Sequence, residues 1–193
     1  MLGSFDAVVL AGGGASRLDG VDKMLVEVGG TRLIDRAVGA VAGADQAIVV
    51  GDPRPDVRDV RWVREDPPGG GPVAALAAGL ALARSPRTVL LAADLPFVAA
   101  RHVALLLDEL GLDASFDGVM FVDPHGRDQL LLSAWRTRRL RGALPTQTAG
   151  AALRRVLAPL AVRRIPGGQD LLDCDTPADL DLARRLTRGD VAP

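Results

Sequence analysis

The stretch Leu10-Ala-Gly-Gly-Gly-Ala-Ser-Arg-Leu-Asp-Gly-Val-Asp-Lys23 places a run of glycines directly after an apolar segment. With no Cβ in the way, successive glycine N–H groups can close on an anion. Arg17 and Lys23 follow on the same loop, and a glycine nest with two cations suits a triphosphate. Lys23 is the single lysine among 23 basic residues. An ammonium is a compact point charge that fits between phosphate oxygens, where a planar guanidinium is too wide. The loop is not a dinucleotide fingerprint, because Arg17 stands where a third glycine belongs, and no Gly-Lys-Ser/Thr follows to make a P-loop. The structural alternative is a tight strand-to-loop turn with solvated charges.

Three further segments carry candidate chemistry. In Ala92-Ala93-Asp94-Leu95-Pro96-Phe97 an acid follows an apolar run. A carboxylate there suits Mg2+, a hard cation that takes one or two protein carboxylates plus phosphate oxygens. Glu65-Asp66-Pro-Pro-Gly-Gly-Gly-Pro72 makes an irregular loop ahead of a helix, and Asp66 could accept the paired N–H donors of guanine. On loop chemistry alone it is a surface turn. In Asp173-Cys174-Asp175-Thr176-Pro177, period-two spacing puts Asp173 and Asp175 on one side of an extended chain. Asp175 also suits a helix dipole. His102 and His125 have no partner cluster and read as packed or solvated. Trp62 and Trp135 read as core or cleft-edge residues. Arg136, Arg138, Arg139 and Arg141 read as a solvated helix face that could also attract an anion.

The elements that must position these residues alternate. Apolar runs Asp6–Leu10, Gln46–Val50, Val60–Val63, Thr88–Ala92, Gly118–Val122 and Gln129–Leu132 predict strands. The last two flank the turn Asp123-Pro-His-Gly126, either as a hairpin or apart in the sheet. Helical spacing predicts helices over Leu33–Val41, Val73–Leu80, Val103–Leu110, Thr137–Leu144, Ala149–Leu157 and Pro177–Leu186. Pro72 suits a first helical turn, and Thr176 with Pro177 reads as an N-cap followed by a first helical residue. Strand–helix alternation implies right-handed crossovers and a mainly parallel sheet, with ligands at the carboxyl ends of the strands.

Composition narrows the class. A chain of 193 residues, 48% apolar with net charge −1, fits one folded domain over 1–193, with 188–193 as a frayed tail. A near-neutral balance argues against nucleic acid as a partner. No apolar run reaches the ~20 residues of a membrane span, and Met1-Leu-Gly-Ser-Phe-Asp6 does not read as a secretory signal. One cysteine, Cys174, excludes an internal disulfide and a multi-cysteine metal site. The expectation is a cytoplasmic enzyme or binding domain.

Together these segments resemble the molybdenum cofactor guanylyltransferase family, within the nucleotidyltransferase superfamily. Leu10 to Lys23 matches the family's Leu-Ala-Gly-Gly loop ending in Gly-x-Asp-Lys without a gap, with Asp19 where glycine is usual. Val28-Gly29-Gly30 and the helix from Leu33 also look like the family. Gly71-Pro72 to Gly79 resembles its Gly-Pro-Leu-Ala-Gly helix start, and Asp94-Leu-Pro96 its Asp-x-Pro metal motif. Asp175-Thr-Pro-Ala-Asp-Leu180 resembles its Asn-Thr-Pro-Glu-Asp/Glu-Leu helix. The resemblance implies an α/β fold: a three-layer α/β/α Rossmann-like nucleotidyltransferase sheet, mainly parallel. It implies that Leu10, Ala11, Gly12, Gly13 and Gly51 line the nucleotide, that Asp66 reads guanine, and that Lys23 binds phosphates beside Arg17. Asp94 would hold Mg2+, and Gln129, Asp173 and Asp175 would lie toward the acceptor. GTP and molybdopterin are the implied substrates, with room for transient contact with cofactor-delivering or acceptor proteins.

Beyond Asp19, the matches depart from the family in three places. Gly51 stands where asparagine is common, Leu130 follows Gln129 where the family has proline, and Asp173 and Asp175 replace asparagines. A relative using CTP, a sugar- or alditol-phosphate nucleotidyltransferase and a non-catalytic nucleotide-binding module are the competing readings. Retention of both Lys23 and Asp94 speaks against the last. Neither residue belongs to a core pattern, so substitution of either is expected to leave the fold intact.

Overall fold

The computed structural model describes residues 3–12, 17–18, 21–54, 56–168, 171, 174 and 176–188. Its strands are β1 (Asp6–Leu10), β2 (Arg17–Leu18), β3 (Val21–Asp22), β4 (Glu27–Val28), β5 (Thr31–Arg32), β6 (Gln46–Val50), β7 (Arg61–Val63), β8 (Arg87–Ala92), β9 (Gly118–Val122), β10 (Asp128–Arg136) and β11 (Val162–Pro166). Its helices are α1 (Leu33–Ala40), α2 (Pro72–Leu82), α3 (Ala100–Leu112), α4 (Thr137–Ala143), α5 (Leu153–Leu157) and α6 (Pro177–Arg188). Seven strands form the central sheet in the order β11-β9-β10-β8-β1-β6-β7, and β2-β3 and β4-β5 make two small ribbons. Within the central sheet pairing is parallel except where β10 runs antiparallel to both β8 and β9, and the two ribbons are antiparallel.

The sheet is covered on both faces. Ala7 and Val9 of β1 face a layer that includes Ile34 and Ala37 of α1 and Val103, Leu106 and Leu110 of α3. Val8 faces the opposite layer, with Leu76 and Leu80 of α2, Leu140 of α4 and Leu153 of α5. This period-two split of an all-apolar strand is what a sheet buried on both sides requires. Helix α2 lies so close to β1 that a Cβ on Gly79 would run into Val8. A third, smaller cluster joins α6 to β4 through Val28, Leu33, Cys174 and Leu180.

Several expectations change. The final two predicted strands do form a hairpin, but β10 extends to Arg136. The β9–β10 register shifts between Gln129 and Ser133, an irregularity closed by the Ser133 hydroxyl donating to Leu130 O at 2.8 Å. The predicted helix over Ala149–Leu157 shrinks to α5, because Gly150 N–H is spent on Gly70 O at 2.9 Å and Ala151 N–H turns back to Thr148. Strand β11 was not foreseen. It is an edge strand whose Arg163, Arg164 and Pro166 mask an apolar pattern. Helix α6 reaches Arg188, so only 189–193 of the expected tail lie outside the described residues. Thr176 caps α6 as foreseen: Asp179 N–H donates to its hydroxyl, and Thr176 N–H donates to the Asp179 carboxylate.

Candidate functional site

Strand register builds one rim. Leu10 pairs with both Val50 and Ala92, and Val50 pairs with Val63. The residues that leave these strands therefore emerge level with one another: Ala11-Gly12, Gly51-Asp52, Arg64-Glu65 and Ala93-Asp94. The junctions are bonded, with Ala11 N–H to Val50 O at 2.9 Å, Gly51 N–H to Val63 O at 2.9 Å and Ala93 N–H to Leu10 O at 3.0 Å. Because β10 runs the other way, its start, Asp128-Gln129, reaches the same rim.

Lys23 and Asp94 meet at this rim from positions 71 residues apart: Nζ donates to Oδ2 at 2.8 Å. Lys23 opens a short 3₁₀ turn, Lys23–Leu25, capped by Asp22, whose carboxylate accepts Met24 N–H at 3.0 Å. The Lys23 side chain is 0% exposed and that of Asp94 is 21% exposed. This corrects one expectation. Lys23 sits inside the molecule, so its removal costs packing as well as charge. The open side of Asp94 faces a cleft.

Two clefts lie along this rim, and Asp94 lines the second of them. One, of about 200 Å³, is lined by Ala11, Gly12, Gly51, Asp52, Arg54, Arg64, Glu65 and Gly69. Gly51 has φ +148, and a Cβ there would stand 3.0 Å from the Ala11 carbonyl, so a side chain at this position would strain the close approach of the two turns. Asp66 is exposed and outside the lining; its neighbour Glu65 lines the cleft and accepts Gly69 N–H at 3.1 Å. The second cleft, of about 330 Å³, is lined by Pro72, Ala92, Asp94, Leu95, Asp128, Gln129, Leu130, Leu131 and Leu153. It brings Asp94 and Gln129 together. Asp128 is held by Arg164 at 2.7 and 3.1 Å and by Arg154 at 3.5 Å. The Arg164 hydrogen bond, ahead of the opposing cost of burial, keeps the Asp128 carboxyl below the usual carboxylate range. Helix α2 begins between the clefts, with Gly69 on one side and Pro72 on the other, and carries no side-chain cap.

Leu10, Ala11, Gly12, Lys23, Gly51 and Asp94 thus share one rim. Gly13, Asp173 and Asp175 lie outside the described residues, and Arg17 is described only as part of the β2 backbone. Cys174 N–H donates to the Asp94 main-chain carbonyl at 3.3 Å, so Cys174, ahead of α6, lies beside the Asp94 backbone. Sequence reasoning missed Arg54, a nearly buried arginine in the first cleft. An arginine just after the strand-end turn Gly51-Asp52-Pro53 was the available signal.

The other marked residues are structural. His102 Nδ1 accepts Ala99 N–H at 3.1 Å at the start of α3, and its ring meets Phe121 edge-on. His125 is exposed in the β9–β10 turn. Trp135 is fully buried, and its indole N–H donates to Ser133 at 2.8 Å. The arginine run is not a free anion trap. Arg136 donates to carbonyls at the end of α3, Arg141 to Leu80 O and Ala83 O at the end of α2, and Arg139 pairs with Asp117.

A family model described as the MobA-like NTP transferase domain matches residues 7–165. The chain belongs to this family. In fold and family it is a nucleotidyltransferase enzyme. It is 33% identical to the molybdenum cofactor guanylyltransferase of Acidiphilium cryptum over 92% of each chain. The solved molybdopterin-guanine dinucleotide biosynthesis protein A of Archaeoglobus fulgidus shares the fold at TM-score 0.72 and 19% identity, covering 96% of this chain and 99% of that one. So does the 2-C-methyl-D-erythritol 4-phosphate cytidylyltransferase of Thermus thermophilus, at TM-score 0.69 and 20% identity, covering 94% and 98%. The MobA-like match spans every residue of both clefts and the Lys23–Asp94 pair.

Proposed function

We propose that this chain transfers the guanylyl group of GTP to the phosphate of molybdopterin and releases pyrophosphate. The observation that carries the reading is the Lys23–Asp94 pair at 2.8 Å, at the carboxyl rim of the sheet, with Asp94 lining one of the two clefts there. An oxygen of the acceptor phosphate forms a bond to the α-phosphorus of GTP. The bond from that phosphorus to the bridging oxygen of the β-phosphate breaks, and its electron pair leaves with pyrophosphate. The acceptor is already anionic near neutral pH, so no strong general base is required. In keeping with this, no histidine or cysteine is among the described residues that line either cleft.

What remains for the protein is positioning and charge neutralisation. The first cleft suits the nucleoside, and the second, with Gln129, suits the acceptor. Lys23, Arg17, the amides of the glycine loop and the positive end of α2 would offset the triphosphate charge. Asp94 fits Mg2+: it is a hard oxygen donor, open on one side, and already holds a cation in the Lys23 ammonium. Mg2+ bound there would draw negative charge off the phosphates. Asp173 and Asp175 are assigned to the acceptor side on the resemblance alone. The reaction is proposed to be cytoplasmic; among the described residues no helix is long and apolar enough to cross a membrane.

A cytidylyl-transfer reading has one observation in its favour. Asp66, the carboxylate assigned to guanine, lies outside the cleft lining. Thermal shifts with GTP, CTP, ATP and UTP, each with and without Mg2+, test both. A nucleotide at 100 times its Kd adds about 2.7 kcal/mol of stability. GTP with Mg2+ should give the largest shift, and pyrophosphate should appear when molybdopterin is added. A largest shift with CTP would move the assignment to cytidylyl transfer, and no shift with any nucleotide would overturn both.

A further inference from the structure

We infer that Arg54 is a positioning residue for the transfer reaction, acting through Asp22 to fix the turn that aims Lys23. The inference rests on the proposed role of Lys23 in neutralising phosphate. Arg54 is 8% exposed, although it lies on a loop. A guanidinium so far out of water must be paired well to be tolerated. It is: Nε donates to Asp22 Oδ2 at 2.8 Å and Nη2 to Asp22 Oδ1 at 2.9 Å, a two-pronged match. Nη1 donates to Asp52 O at 3.1 Å, and Nη2 makes a long contact to Ala11 O at 3.5 Å. Its Cζ stands 5.9 Å from the centre of the Trp62 ring.

These partners give the side chain a specific task. Ala11 precedes the glycine-rich loop and Asp22 ends it, so one guanidinium ties both feet of the loop together. Asp22 also caps the 3₁₀ turn whose first residue is Lys23. The direction of the Lys23 ammonium toward Asp94 therefore depends on a contact made 32 residues further along the chain. Arg54 also lines the nucleoside-side cleft, so the same residue joins nucleotide binding to the placement of Lys23.

The test is a double-mutant cycle with Arg54→Met and Lys23→Met, both close in volume to the native side chains. It uses the nucleotide that stabilises the wild-type protein most, with Mg2+ and molybdopterin, and reads kcat and KM from pyrophosphate release. Arg54→Met should lower kcat by at least about tenfold while raising nucleotide KM less. In the Lys23→Met background the same change should lower kcat by less than about twofold, because coupled residues are not additive. Independent, multiplicative losses would overturn the inference. A wild-type kcat in Lys23→Met alone would instead overturn the role of Lys23 in the proposed function. Asp22→Asn keeps the shape of the cap and should reproduce the kcat loss of Arg54→Met, which covers the case in which Arg54→Met does not fold. A wild-type kcat in Asp22→Asn would overturn the inference. Arg54→Lys should recover only part of the rate, since one ammonium cannot match both carboxylate oxygens; full recovery would count against the two-pronged geometry.

Discussion

Two carboxylates at opposite ends of adjacent strands meet opposite fates. Asp6 opens β1 at the amino end of the sheet and is completely buried. It accepts N–H bonds from Arg84 and Ser85 and a hydroxyl bond from Ser85 at 3.1 Å. Asp94 follows β8 at the carboxyl end. It holds a buried ammonium from a distant segment and keeps one side open to a cleft. Asp6 is enclosed by donors fixed in the fold, so it serves the fold. Asp94 is met by one side-chain ammonium and keeps oxygen surface open to a cleft, so it can serve chemistry. The parallel register makes the difference systematic, because it gathers the ends of β1, β6, β7 and β8 on the side where Asp94 lies.

Substitutions can break this contrast. Asp94→Ala should give the largest effect, a drop of about 10²–10³ in turnover. Its melting temperature should fall as well, because the completely buried Lys23 ammonium loses this carboxylate, so turnover is compared on the folded protein. Asp6→Ala should lower stability alone. It leaves buried N–H groups without a partner and should cost on the order of 3 kcal/mol in denaturant unfolding, with the turnover of the folded protein unchanged. Gly51→Ala forces a Cβ against the Ala11 carbonyl and should weaken the nucleotide-induced thermal shift by about 1–2 kcal/mol. The smallest effect concerns Asp128, which is ion-paired at the rim. Its carboxyl is held below the usual range, so its contribution is present above the unfolded value near ~3.9 and fades as pH falls through the lower folded value. Asp128→Asn should therefore be less stable than wild type at pH 6, and the gap should close as the solution is acidified below about pH 4. A gap that persists in acid would remove that ion pair from the account.

Local pattern carried much of the fold. The apolar runs of β1, β6 and β8 end in glycine or in an Ala-Asp turn, and Pro72 and Thr176-Pro177 mark helix starts. Strand β11 escaped notice because an edge strand can carry charge on its exposed face. Lys23 and Asp94 were legible as motif residues, but the burial of Lys23 was not, since it depends on segments distant in the chain. Arg54 and Asp6 were missed for the same reason. The worth of a buried charge lies in its partners, and those are 32 residues away for Arg54 and 79 for the Ser85 N–H that meets Asp6. Asp66 shows the converse: a well-placed letter in the sequence whose side chain stands outside the cleft lining.

The most direct trial of the central claim is single-turnover pyrophosphate release from Mg2+-GTP and molybdopterin, run side by side on wild type, Asp94→Ala and Asp6→Asn. The account requires release by the wild type, a loss of about 10²–10³ in rate for Asp94→Ala, and a wild-type rate for the folded fraction of Asp6→Asn. Equal rates in wild type and Asp94→Ala would contradict it.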